Sequence, residues 1–168
     1  MEQPTTTEEH FMDARLDYFA SPTAGKALKH LMSAGKALKE SSLPAATQEL
    51  VALRVSQING CAVCVDMHTK DAAAGGETSV RLNLVAAWRE ATVFTEAERA
   101  ALELAEDGTR VADAAGGVGD EVWARAAAHY DDEQLTALVL LISFMNTANR
   151  LNIITRQPAG DYEPGRFH

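Results

Sequence analysis

The chain has 168 residues, of which 46% are hydrophobic and 23% are charged, a balance typical of a soluble globular protein that can bury a core. Its formal net charge of −9 argues against binding to nucleic acid or to anionic membranes, because both require a basic surface. We therefore expect a single domain over residues 1–168, with irregular tails at about 1–12 and 157–168.

The first half of the chain predicts three helices. Segment 21–41 places leucines and a methionine on one face, and segment 45–58 carries a broad apolar stripe. Asn59 and Gly60 then interrupt the pattern, since both residues accept turn geometry. A third helix is expected over residues 61–74, where a pair of glycines ends it.

The second half of the chain continues the helical pattern. Segments 78–91 and 120–130 are expected to be helical, and Thr95 and Glu98 have the spacing of a capping box at the start of another helix. The last helix, 133–155, is apolar nearly all round, which indicates burial in the core or against another subunit. No segment alternates like a strand, so the predicted fold class is all-α.

From the sequence we expect neither a signal peptide nor a membrane span. Its first ten residues are polar and acidic, with no apolar run behind them. The longest uncharged apolar run, 135–145, is too short to cross a bilayer. We expect a cytoplasmic protein without membrane attachment, and a reducing cytoplasm argues against a purely structural disulfide.

Both cysteines of the chain fall in one short segment. Cys61 and Cys64 are separated by two residues, and His68 follows four residues after the second cysteine. On a helix that begins near Cys61, the three side chains fall within an arc of about 60°. A helix start and a neighbouring imidazole both favour a thiol pKa below the ordinary value of about 8.5. The arrangement suits cycling between a dithiol and a disulfide.

Two other interpretations of this segment stay open at this point. The two thiols could simply be packed in the core, with His68 hydrogen-bonded beside them. Cys61, Cys64 and His68 could also hold a metal ion, with a carboxylate or water as the fourth ligand. A closed structural metal site would need a second ligand pair of C-x-x-C or H-x-x-x-H type, which the sequence lacks.

A longer pattern resembles a known family. The spacing E-x11-C-x2-C-x3-H, formed by Glu49, Cys61, Cys64 and His68, is similar to the signature of AhpD-like alkylhydroperoxidases in the carboxymuconolactone decarboxylase superfamily. The similarity extends over roughly residues 14–157. It implies an all-helical protomer that assembles into trimers or hexamers, with no tightly bound cofactor. Decarboxylase members of the superfamily lack the cysteine pair, so lyase activity is not expected.

The resemblance also implies a role for each site residue. Cys64 attacks a small peroxide and becomes a sulfenic acid, and Cys61 resolves it to a redox-active disulfide. Glu49 and His68 form a proton relay to the nucleophile. Electrons come from a reducing protein partner, a thiol or lipoyl donor. This chain carries Val63 where AhpD enzymes have a further histidine, so a thiol–disulfide oxidoreductase or redox sensor with little peroxidase turnover remains the alternative.

Overall fold

The computed structural model describes residues 13–166, and this part of the chain contains seven α-helices and no strand. The predicted all-α class is confirmed. The irregular tail expected at 1–12 lies outside the described residues, as do residues 167–168. Short 3₁₀ helices span Tyr18–Ala20 and Val85–Ala87. The α-helices are α1 (Pro22–Lys39), α2 (Ala45–Asn59), α3 (Ala62–Ala74), α4 (Ser79–Leu84), α5 (Glu96–Thr109), α6 (Asp120–Ala127) and α7 (Asp132–Thr155).

The hydrophobic core lies on both sides of α2, which packs against α3, α5 and α7. One cluster of buried side chains includes Val51 and Val55 together with residues of α5 and α7, and it contains both cysteines. A second cluster includes Leu50 and Leu53 together with Trp88 and its neighbours. The broad apolar stripe predicted for α2 allows burial from both sides, and this helix therefore holds the other elements in place.

Three helix boundaries follow directly from local sequence chemistry. Gly60 follows the last residue of α2 and has a left-handed backbone, at φ of 73°. This agrees with the interruption of the helix predicted at Asn59 and Gly60. The predicted capping box of Thr95 and Glu98 starts α5, with both reciprocal hydrogen bonds present. Asp131 and Gln134 form a second capping box at the start of α7.

The helix predicted over 78–91 is shorter than expected. α4 ends at Leu84, and the chain continues through a 3₁₀ turn that brings Trp88 into the core. Arg99 on α5 supplies hydrogen-bond donors to the backbone of the turn that follows. Its guanidinium donates to three backbone carbonyl groups of this turn, at 2.9 to 3.0 Å, those of Trp88, Arg89 and Ala91.

A buried ion-pair network fixes the same turn to α2 and α5. The Glu106 carboxylate accepts hydrogen bonds from Arg54 Nε at 2.7 Å, Trp88 Nε1 at 3.0 Å and Arg89 Nη1 at 2.6 Å. Burial alone raises the pKa of Glu106, but the hydrogen bonds from Trp88 and Arg54 outweigh it and hold the pKa below its ordinary value. Glu106 is therefore charged in the folded protein at neutral pH.

The last helix combines a core face with an exposed apolar face. Length and composition alone do not support the expected lack of a membrane-spanning segment, because α7 is long and apolar enough to cross a membrane. In this fold Leu138, Met145 and Asn149 are almost completely buried in the protein. Leu140 and Ile154 are exposed, at 52% and 67% of their surface. We expected burial in the core or against another subunit, and burial in the core accounts for one face of this helix.

The described end of the chain, 157–166, forms no helix but is attached to α3. The Gly160 N–H group donates to Asp66 at 3.0 Å, and the Tyr162 hydroxyl donates to Asp71 at 2.9 Å. Burial, with the neighbouring Asp71 carboxylate, raises the pKa of Tyr162 to about 12. The tail therefore crosses the helix that carries the second cysteine.

Candidate functional site

The two cysteines are joined as a disulfide, with Cα atoms 5.4 Å apart. Cys61 is the N-cap residue of α3, directly after the left-handed turn at Gly60. Its N–H group donates to the Ser56 carbonyl at 3.0 Å, which ties it to the end of α2. Cys64 lies in the first turn of α3. Each cysteine is only 1% exposed, so protein atoms enclose the sulfur pair.

His68 and Glu49 form a polar pair beside the cysteines. His68 lies one turn after Cys64 on α3, and its Nδ1 is 2.8 Å from Glu49 Oε2 on α2. Lys39 Nζ, at the end of α1, lies 3.9 Å from Glu49 Oε1. His68 Nε2 is buried and has no hydrogen-bond partner among the described residues. When Nδ1–H donates to the carboxylate, Nε2 of the neutral ring is a free base.

The structure thus brings together all four residues that the sequence singled out. Glu49 comes from α2, while Cys61, Cys64 and His68 lie at the start of α3 and along it. Val63 packs against the hydrophobic cluster that contains the cysteines and provides no proton-transfer group. Among residues 13–166, no group of three His, Cys, Asp or Glu side chains is placed to hold a metal ion.

Sequence reasoning missed Asn152, which contacts the second cysteine from α7. Asn152 Nδ2 donates to Cys64 Sγ at 3.3 Å, and the Tyr18 hydroxyl donates to Asn152 Oδ1 at 3.1 Å. Burial raises the pKa of Tyr18, which keeps this phenol protonated as a donor. The sequence held no local signal for Asn152, because its contact with Cys64 joins residues 88 positions apart.

Asn149 on α7 forms hydrogen bonds to the end of α2, directly before the first cysteine. It is completely buried, donates from Nδ2 to Ser56 Oγ at 3.1 Å and accepts at Oδ1 from Asn59 Nδ2 at 2.9 Å. Asn59 also donates to Asn146 Oδ1 at 3.0 Å. These bonds join the end of α2 to α7 at the point where the chain turns to Cys61. The amide groups therefore fix the position of the first cysteine.

Surface depressions lie elsewhere on the molecule. Two of them, of about 290 and 490 Å³, are lined by Trp88, Arg89 and charged residues around them. Neither is lined by Cys61, Cys64 or His68. Direct access of solvent to the cysteines is restricted, because each of them is only 1% exposed.

Comparison with known sequences defines the class of protein. Residues 22–107 match the Carboxymuconolactone decarboxylase family. The chain is 42% identical over 142 residues to the uncharacterized protein YdfG of Bacillus subtilis (strain 168), a match that covers 84% of this chain and 94% of that protein. The chain belongs to the carboxymuconolactone decarboxylase family.

Solved structures with the same fold include AhpD-like proteins. ATU0492 from Agrobacterium tumefaciens, a protein of unknown function proposed as the antioxidant defence protein AhpD, has a TM-score of 0.82 and 34% identity, covering 89% of this chain and 100% of that chain. Other similar structures are described as peroxidase-related. The debrominase Bmp8, at 17% identity and a TM-score of 0.69, shares the fold over 84% of this chain and 73% of its own. The AhpD-like resemblance is confirmed for fold and family, and this fold is used by enzymes.

Proposed function

We propose that the protein is a thiol-dependent peroxidase that cycles Cys61 and Cys64 between dithiol and disulfide. One observation carries the proposal. The Glu49–His68 pair lies beside the two cysteines, and the unpartnered Nε2 of His68 belongs to a ring one turn from Cys64. A base held in one tautomer next to a thiol is the arrangement that activates a sulfur nucleophile.

The first half of the cycle oxidises Cys64. His68 Nε2 takes the thiol proton, and Glu49 stabilises the resulting imidazolium through the Nδ1–H group. The thiolate then attacks an oxygen of the hydroperoxide, and the O–O bond breaks. Cys64 becomes a sulfenic acid, and the departing alkoxide takes a proton from His68 to leave as an alcohol.

The second half restores the dithiol. The Cys61 thiol attacks the Cys64 sulfenic acid, so that an S–S bond forms, the S–O bond breaks and water leaves. A separation of 5.4 Å between Cα atoms suits that bond. A thiol or lipoyl donor protein then supplies two electrons by exchange, and its own dithiol becomes a disulfide. No tightly bound cofactor takes part in these steps.

The proposal extends to a cytoplasmic homo-oligomer, a trimer or hexamer. Apolar side chains are exposed on α1 and α7, including Met32 at 56%, Leu140 at 52% and Ile154 at 67% of their surface. Apolar area of this kind is commonly covered when identical subunits associate. The acidic net charge supports a protein that works away from nucleic acid and membranes.

A second function, thiol–disulfide exchange or redox sensing with little peroxidase turnover, is favoured by one observation. Val63 supplies no proton-transfer group between the cysteines. Under this alternative the same disulfide forms, but the physiological oxidant is another disulfide.

Trapping the sulfenic acid tests the cysteine roles and separates the two functions. Reduced parent, Cys61→Ser and Cys64→Ser proteins are treated with equimolar tert-butyl hydroperoxide in the presence of dimedone. We expect a dimedone adduct in Cys61→Ser and none in Cys64→Ser, because only Cys64 is oxidised by peroxide. An adduct in Cys64→Ser instead would reverse the roles. If no variant reacts while oxidised lipoamide oxidises the parent pair, the exchange function replaces the peroxidase.

A further inference from the structure

We propose that Asn152 is a catalytic residue of this site, whose side-chain amide stabilises the Cys64 thiolate, and that Tyr18 is its positioning residue. The inference rests on the proposed thiol cycle and adds a group from α7, which contributes none of the four residues named so far. Asn152 Nδ2 lies 3.3 Å from Cys64 Sγ, within hydrogen-bond distance for a sulfur acceptor. It therefore touches the atom that reacts.

The orientation of the Asn152 amide is fixed by a second contact. The hydroxyl of Tyr18, a buried residue of the 3₁₀ helix before α1, donates to Asn152 Oδ1 at 3.1 Å. Because the amide oxygen accepts this bond, the amide nitrogen is the atom turned toward Cys64. The Arg15 N–H group donates to the Thr155 carbonyl at 2.8 Å, which holds this N-terminal segment on the end of α7.

The hydrogen bond from Asn152 to Cys64 becomes stronger when the sulfur is a thiolate. A disulfide sulfur is a weak acceptor, whereas a thiolate at the same position forms a charge-assisted hydrogen bond. Asn152 therefore favours the ionised form of Cys64 and lowers its pKa. The same bond assists reduction: when a donor thiolate attacks Cys61, the S–S bond breaks and its electron pair leaves on Cys64.

The titratable groups around Cys64 come from the elements that surround it. They are His68 on α3, Glu49 on α2, Lys39 at the end of α1 and Tyr18. The charge of a protonated His68 is offset by Glu49, and Lys39 also lies against that carboxylate. Asn152 adds a neutral donor to the sulfur itself, which does not depend on the state of the other groups.

The test measures the Cys64 pKa directly, in a Cys61→Ser background where Cys64 is the only thiol. The rate of alkylation by iodoacetamide is followed against pH for the background protein, Asn152→Leu, Asn152→Asp and Tyr18→Phe. Asn83→Leu, at an exposed position of α4, is the matched control. Asn152→Leu is expected to raise the pKa by about one unit, a tenfold loss of thiolate below the pKa.

The other variants each have their own expected effect on the Cys64 pKa. Asn152→Asp, nearly the same shape but an acceptor, is expected to raise the Cys64 pKa at least as much, and Tyr18→Phe to raise it less. Asn83→Leu is expected to leave it unchanged. An unchanged pKa in Asn152→Asp and Tyr18→Phe overturns the inference, even if Asn152→Leu does not fold. Failure of the background protein to form a sulfenic acid with peroxide, while the pKa shifts appear, overturns the peroxidase function and leaves the role of Asn152 intact.

Discussion

Glu49 Oε2 lies 2.8 Å from His68 Nδ1, although the two residues are 19 positions apart in the chain. They lie on α2 and α3, which are connected by Gly60 and Cys61. The pair exists because α2 and α3 pack against each other beyond Gly60. A carboxylate at Nδ1 determines which nitrogen of His68 is free, and Nε2 is buried with no hydrogen-bond partner among residues 13–166. Under the proposed cycle, we therefore expect proton transfer at Cys64 to depend on Glu49, which acts through His68.

Glu49→Gln tests that dependence. The amide cannot stabilise an imidazolium as the carboxylate does, so we expect the rate of peroxide-dependent thiol loss to fall by about 100-fold at neutral pH. The rate is measured with excess tert-butyl hydroperoxide under pseudo-first-order conditions. Glu40→Gln is the control, because Glu40 is exposed in a surface pair with Lys36. Equal rates in the parent and Glu49→Gln would remove Glu49 from the relay.

The left-handed turn at Gly60 predicts a specific effect on stability. A Cβ atom at Gly60 would meet no atom within 4 Å, so a substitution there costs only backbone strain, at φ of 73°. Gly60→Ala is expected to lower the free energy of unfolding by about 1 kcal/mol, and Gly60→Asn by less. Urea denaturation measures both. Gly75→Ala, at a φ of −75°, is the matched control and should be nearly neutral.

Much of the fold was predictable because its helices are set by local chemistry. The apolar stripes of α2 and α7, the capping box at Thr95 and the break at Gly60 all act within a few residues of chain. The early end of α4 was not predicted, and the turn that follows it is held by Arg99 from another helix. Of the apolar face expected on α1, only Leu38 is buried, because the described elements leave the rest of that helix uncovered.

Some residues of the candidate site were also predictable from the sequence, and others were not. The spacing of Cys61, Cys64 and His68 is a property of one helix, so the sequence could place them together. Glu49 was identified only through a family resemblance, since any of 24 acidic residues could have occupied that place. The contact of Asn152 with Cys64 joins residues 88 positions apart and has no local signature. Tertiary packing alone creates it.

The buried carboxylate of Glu106 predicts a pH-dependent stability. Its pKa is lowered in the folded protein, so its contribution is complete above its ordinary value of 4.5 and is lost as pH falls through the lower folded pKa. Glu106→Gln leaves Arg54 without its charged partner, and we expect a loss of about 3 kcal/mol at neutral pH. Denaturant unfolding of parent and variant should show this difference narrowing in acid.

A surface carboxylate provides the comparison for Glu106. Glu121 pairs with Arg125 at 3.9 Å while 94% of its own side chain is exposed. Glu121→Gln is therefore expected to change the free energy of unfolding by less than about 1 kcal/mol at any pH. A difference for Glu106→Gln that stayed constant down to acid pH would show that the charge of Glu106 is not the source of its effect.

The exposed face of α7 predicts assembly. Light scattering after gel filtration is expected to give the mass of a trimer or hexamer for the parent. Leu140→Glu, at a residue that is 52% exposed, should shift the protein to smaller species, because a charge within an apolar interface is costly. Val111→Glu, on the loop after α5 and 51% exposed, is the control. A monomeric parent would contradict the proposed assembly.

The central claim is that peroxide oxidises Cys64 and that Cys61 completes a disulfide. Counting free thiols in the fully reduced protein, before and after equimolar tert-butyl hydroperoxide in the absence of oxygen, tests it most directly. The account predicts that both thiols disappear together and return on addition of a dithiol. If both thiols survive the peroxide, the pair is not peroxidatic, and the claim is contradicted.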